Sequence, residues 1–218
     1  IAEARLLRGI CYFDLVRLWG DVPLKLTASD KTENFAVTRT NREEVYQQIV
    51  DDMEAAVTDL PWYNEVSSYE GRPTKGAAMG LLARAYLFRA GYSLHQNGKM
   101  ERPDNYLEYY KKVKEICAEL INSHRHSLNV SYEKVFKNVC ESVMEPSEVM
   151  YEVQFYNPSG ENDHSSKIGS YNSPEINRNS SYGLGNSFIK TTHFAYDFYE
   201  AGDIRRETAI ATFKIDAN

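Results

Sequence analysis

Residues Ala2 to Leu24 read AEARLLRGICYFDLVRLWGDVPL, and the fold of the whole chain turns on how this stretch is understood. Ala4, Leu7, Cys11, Leu15 and Leu18 recur at helical spacing, and Leu6, Ile10 and Phe13 widen the stripe. The pattern predicts an amphipathic helix whose apolar face takes well over a third of its circumference. A face that wide needs partner helices. Gly20 supplies a left-handed exit just past the last apolar residue, and Pro23 prevents the helix from resuming, so the chain leaves on a specified turn. Trp19, at the helix end, is expected to pack.

Working outward, Thr40 with Glu43 three residues later reads as a capping box. The helix behind it carries Val45, Ile49, Met53, Ala56, Val57 and Leu60 before Pro61 stops it. A third helix follows Pro73 and Thr74. Its small residues Gly76, Ala77, Ala78, Gly80, Ala83 and Ala85 admit a close neighbour, while Leu81, Leu82, Tyr86 and Phe88 fill the groove. A fourth spans about Asp104 to Asn122, with Tyr106, Val113, Ile116, Leu120 and Ile121 inward. The helices start at intervals of roughly 30 to 40 residues, near the repeat length of tetratricopeptide (TPR) helix pairs, although the TPR consensus is absent.

After about residue 145 the grammar changes. Val149, Tyr151, Val153 and Phe155 alternate as in a half-buried strand, and Ala209, Ala211, Phe213 and Ile215 do so again at the end. Between them Asn157 to Ser187 is long, aperiodic and dense in Asn, Ser, Gly and Pro, which marks a functional or disordered excursion. Thr192 caps a short helix that Gly202 closes. The expected fold is mostly α, with TPR-like stacked helix pairs, a few short strands and long loops. Residues 1–145 form the helical scaffold; residues 146–218 form a loop-rich region of the same domain.

With 218 residues and a formal charge of −6, the chain is long enough for a sizeable core and carries no basic face for nucleic acid. No apolar run approaches the ~18 residues of a transmembrane helix. Cys11, Cys117 and Cys140 make an odd count with no CxxC, and Cys11 and Cys117 read as buried thiols on apolar faces. The chain opens within a helical pattern and reads as an excised piece.

Chemistry-bearing constellations are thin. Asp51, Asp52 and Glu54 are the nearest to a carboxylate pair, and they read as a solvated helix face rather than a glycosidase dyad. His124 and His126 form an H-x-H with no third ligand at metal spacing. Gly183 and Gly185 begin a G-x-G without the remaining glycine. No catalytic set, metal or cofactor is expected. Asp203 with Arg205 and Arg206 reads as a charge pair that fixes a turn.

Five segments resemble, in order, the SusD/RagB family of nutrient-binding outer-membrane lipoproteins of Bacteroidetes. They are the YFDLVRLWGDVPL ending of the first helix, NREEVYQQIVDDMEAAVTDLP, GRPTKGAAMGLLARAYLF, SEVMYEVQF and YDFYEAGDIRRETAI. The resemblance implies a non-enzymatic glycan-binding protein at the cell surface, held by an N-terminal lipid that lies outside this chain. It further implies delivery of nutrient to a SusC-like TonB-dependent transporter, with longer segments on both sides contributing to the site. The alternatives are a TPR-like scaffold that binds protein or peptide, and, behind it, a helical glycoside hydrolase.

Glycans present apolar C–H faces ringed by hydroxyls, so a sugar site combines flat aromatic platforms with planar polar groups. In the long loop, Tyr171 beside Asn172, and Tyr182 near Arg178 and Asn179, have that composition. Trp62 and Tyr63, with Tyr69 nearby, form a second aromatic loop after Pro61, which reads first as an apolar plug beneath the turn and second as a ligand contact.

Overall fold

Helix α1 (Ala2–Trp19) opens a computed structural model that describes residues 1–29, 36–67, 71–141, 143–153, 155, 168–177, 180 and 185–216. The chain divides into two units, Ile1–Leu128 with Met144–Glu152, and Asn129–Val143 with Val153–Asn218. In the first, α1, α2 (Arg42–Asp59), α3 (Lys75–Arg89) and α4 (Tyr106–Asn122) pack in chain order, each on the next. Their core joins Leu6, Phe13 and Val16 to Val45, Ile49, Met53 and Ala56, and then to Ala78, Leu82, Ala85 and Tyr86. The protein is mostly α, as the periodicity predicts.

The face of α1 that packs is not the principal stripe read from the sequence. Leu6, Gly9, Phe13 and Val16 are buried, whereas Leu7 is 45 % exposed and Cys11, Leu15, Leu18 and Trp19 also face solvent. Two apolar rows run side by side along this helix, and only the row that meets α2 is covered. Gly9 explains the choice: a Cβ there would stand 3.1 Å from Met53 Cγ, so α2 approaches along the row with no side chain at that point. Counting apolar residues gives a glycine no weight. Cys11 and Trp19 are therefore surface groups, against expectation.

The turn after α1 is held from three sides. Gly20 has φ +71°, and a Cβ would meet Arg42 Nη2 at 2.6 Å, so glycine is required both by conformation and by space. Asp21 Oδ1 accepts from the Arg42 backbone N–H at 3.1 Å and from its Nε at 3.0 Å, and Gln96 donates to the other oxygen at 2.7 Å. Arg42 Nη1 then donates to Ser93 Oγ at 2.9 Å. That last bond reaches the hairpin β1 (Ser93–Leu94) and β2 (Met100–Glu101). Asn41, not Thr40, caps α2, its side chain accepting from Glu43 N–H at 2.8 Å. Thr40 is drawn off by the same turn: its N–H donates to Val22 O at 3.0 Å and its Oγ1 accepts from Leu24 N–H at 3.3 Å.

Asp52 also departs from its reading as a solvated carboxylate. It is 3 % exposed and accepts from Arg8 Nε and Nη2 at 2.7 Å each, which ties α2 to α1. Glu54 accepts from Tyr86 Oη at 2.8 Å.

Burial pushes the Tyr46 phenol up to about 12, with the Glu43 charge adding to it, and burial with the bond to Glu54 pushes Tyr86 up as well. Both folded values lie above the unfolded value of about 10. Their contribution to stability is therefore complete below about pH 10 and lost as pH rises through the folded values, which for Tyr46 is about 12. Alkaline titration is expected to show these two phenols ionising together with loss of helical ellipticity, and Tyr46→Phe is expected to move the transition to higher pH. Complete phenolate formation with ellipticity unchanged would refute this.

The second unit holds short helices, α5 (Tyr132–Cys140), α6 (Ile168–Asn172), α7 (His193–Asp197) and α8 (Ile204–Ala209). Thr192 Oγ1 caps α7 by accepting from Ala195 N–H at 3.2 Å, as expected. Asp203 caps α8, and the hydrogen-bonded Arg205 guanidinium holds its carboxyl at about 2. Among the described residues, β-structure comprises the β1–β2 hairpin and three isolated bridges, Val22–Thr40, Ile176–Gly185 and Ile176–Ile215. The strand expected over Val149–Phe155 is absent among them, and the last expected strand reduces to one bridge at Ile215. Alternation describes a surface that suits a ladder; a strand forms only where a partner edge is present, and among the described residues these segments pair only at Ile215, with Ile176. No described helix is long and apolar enough to cross a membrane.

Candidate functional site

In the second unit an open groove of about 440 Å³ lies along the end of α6. Its walls are Asn172–Glu175, Ser187 with Ile189–Thr191, and Ala209–Lys214. The local fold follows from small residues. Ser173 Oγ donates to Ser170 O at 2.9 Å and closes α6, and Asn186 N–H donates to Ser170 O at 2.8 Å, laying the returning chain against it. A Cβ on Gly185 would come within 2.5 Å of Ser173 Oγ and 2.7 Å of Ile176 Cγ1. The glycine noted in an incomplete G-x-G is thus a packing requirement of the groove.

Asn172 lines the groove, and Tyr171 precedes it in α6 without being one of the lining residues. The Tyr171 ring lies 5.0 Å from that of Phe188, tilted by 43°, and the Phe188 N–H donates to Tyr171 O at 2.9 Å. The Tyr171 side remains 37 % exposed, a supported ring with free surface. Asn172 Nδ2 donates to Ile168 O at 3.0 Å, which orients the amide and leaves its oxygen free of that bond. Glu175, Lys190, Thr191, Thr212 and Lys214 supply hydrogen-bonding groups along the walls, and Ile189 and Phe213 supply apolar ones. These wall residues were missed in the sequence, because aperiodic segments give no pattern from which neighbours in space can be read. Arg178, Asn179 and Tyr182 lie outside the described residues, as does Tyr69.

Trp62 and Tyr63 belong to the first unit. They enter a single 3-10 turn, Tyr63–Glu65, and sit half-buried against His126, with ring centroids 6.1 and 5.1 Å away. Lys75 and Arg125 stand 5.7 and 5.8 Å from the Trp62 ring, and Arg125 is fixed by Asn64 at 2.8 Å and Glu65 at 3.3 Å. His126 Nδ1 lies 3.1 Å from Pro146 O and packs its ring on Gly76, where a Cβ would fall inside it. This assembly joins the turn before α3 to residues 146–147, and its ring faces are engaged by protein groups.

The other constellations have structural partners. Asp52 belongs to Arg8, Glu54 to Tyr86, and Asp51 accepts from Gln47 at 2.8 Å. Among the described residues no three His, Cys, Asp or Glu side chains converge as a metal site.

The model of a SusD-like family, described as starch-binding and associating with the outer membrane, matches residues 1–87. A SusD-like protein of Bacteroides ovatus is 36 % identical over 138 residues, 63 % of this chain and 23 % of that protein. The crystal structure of a SusD homologue from Bacteroides thetaiotaomicron superposes with a TM-score of 0.78 at 28 % identity, covering 99 % of this chain and 40 % of that one. Another solved structure, with xylogluco-oligosaccharide, has a TM-score of 0.63 at 27 % identity over 86 % of this chain and 35 % of its own. The chain thus spans well under half the length of these relatives. The chain is thus similar to SusD-like proteins, in sequence over residues 1–87 and in fold over almost its whole length.

Proposed function

We propose that this protein is a non-enzymatic glycan-binding protein of the outer-membrane surface that passes oligosaccharide to a SusC-like TonB-dependent transporter. The observation that carries the reading is the relative with xylogluco-oligosaccharide, which shares this fold over 86 % of the chain. The groove at the end of α6 supports it with an oriented amide and with hydroxyl and charged groups along the walls, next to the half-exposed Tyr171 ring that Phe188 braces. The uncovered row Leu7, Cys11, Leu15 and Leu18 on α1 supports a protein-facing side of the scaffold.

Calorimetric titration with neutral and charged oligosaccharides is expected to find affinities in the micromolar to millimolar range, about −8 to −4 kcal/mol. Tyr171→Ala is expected to weaken binding by about tenfold, roughly 1.4 kcal/mol, with the melting temperature unchanged. Undiminished binding in that variant would remove the groove from the site. Release of reducing sugar by the purified protein would overturn the non-enzymatic reading in favour of a hydrolase.

A further inference from the structure

The β1–β2 hairpin carries a surface that the groove does not explain. Cross-strand pairing sets Leu94 opposite Met100 and Ser93 opposite Glu101, so the two pairs point to opposite faces. Ser93 faces inward to Arg42, and Glu101 shares its side, where Asn97 donates to it at 3.1 Å. Leu94 and Met100 are therefore outside, and alternation places Tyr92 and Arg102 with them. All of this lies within the first unit.

Arg102 is held between rings. Its guanidinium stands 3.4 Å over Tyr106, at the start of α4, and 4.7 Å from the Tyr92 ring. Tyr106 is itself braced edge-on by Tyr110, centroids 5.8 Å apart at 84°. Tyr92 remains 62 % exposed. Among the described residues no carboxylate pairs with Arg102. Stacking uses the faces of a guanidinium and leaves its in-plane N–H donors for other partners, and a planar anion can take two of them at once. An oriented, unpaired cation beside an exposed ring fits a ligand that has both a carboxylate and a C–H face.

We propose that Tyr92, Arg102 and Tyr106 form a second carbohydrate contact that selects uronate-bearing glycans, the carboxylate lying on the Arg102 edge and the sugar ring on Tyr92. This rests on the glycan-binding reading but on none of the groove residues. The test is titration of the protein with an oligogalacturonate and, separately, with a neutral xylogluco-oligosaccharide. Oligogalacturonate binding is expected to fall about tenfold in Arg102→Gln and in Tyr92→Ala, and to fall less in Arg102→Lys, which keeps the charge but loses the planar fork. It is expected to weaken with added salt. The neutral sugar is expected to bind all three variants like the wild type, which also reports that they are folded. Oligogalacturonate binding that is absent, or unchanged in Arg102→Gln, while the neutral sugar still binds would overturn this inference alone. Failure of both sugars to bind would overturn this inference, and the glycan reading falls with it where a wider glycan panel also gives flat isotherms.

Discussion

Arg8→Leu is expected to destabilise the helical unit by about 3–5 kcal/mol, because it leaves a buried carboxylate without its counter-charge. Asp52 is the sealed partner, 4 % exposed at its side chain, whereas Arg8 keeps 35 % of its side chain in contact with water. The two truncations are therefore unequal. Asp52→Leu frees a cation that is already partly solvated, and it is expected to cost clearly less than Arg8→Leu. The double variant is expected to recover most of the loss, since an apolar pair needs no desolvation to be offset. Urea midpoints at constant slope measure all three. Equal losses in Arg8→Leu and in the double variant would show that the ion pair does not carry this contact.

Leu6→Ala and Leu7→Ala are adjacent substitutions with opposite expected outcomes. Leu6 is fully buried between α1 and its neighbours, so removing its side chain loses transfer free energy and leaves a cavity, about 2–5 kcal/mol. Leu7 lies on the uncovered row and is expected to change stability by less than about 1 kcal/mol. The comparison decides which face of the first helix the core uses. If Leu7→Ala cost as much as Leu6→Ala, the helix would be rotated from the orientation described or its outer row would be covered in solution.

The same pair of residues shows what could be read from sequence and what could not. Helix existence and order followed from periodicity and from stop signals such as Gly20 and Pro61, and the observed α1 to α4 lie where these place them. Orientation was less legible, because α1 has two apolar rows and the deciding residue, Gly9, enters no hydrophobic count. Asp52 was misread for a related reason: its burial is set by Arg8, a residue 44 positions away, and not by its own helix. The hairpin β1–β2 and helix α5 went unread, since each strand has two residues and the helix only nine. At the groove, Tyr171 and Asn172 were visible as a composition suited to sugars. Its walls at Lys190, Thr212 and Lys214 come from segments whose approach depends on Gly185 and on backbone bonds with no sequence signature.

Titrating the wild-type protein with xylogluco-oligosaccharide and a panel of other glycans in a calorimeter tests most directly whether this helical scaffold grips a carbohydrate. The account predicts a saturable isotherm for at least one glycan, with a dissociation constant between micromolar and millimolar, about −8 to −4 kcal/mol. Flat isotherms across the whole panel, from protein with intact helical ellipticity, would contradict it.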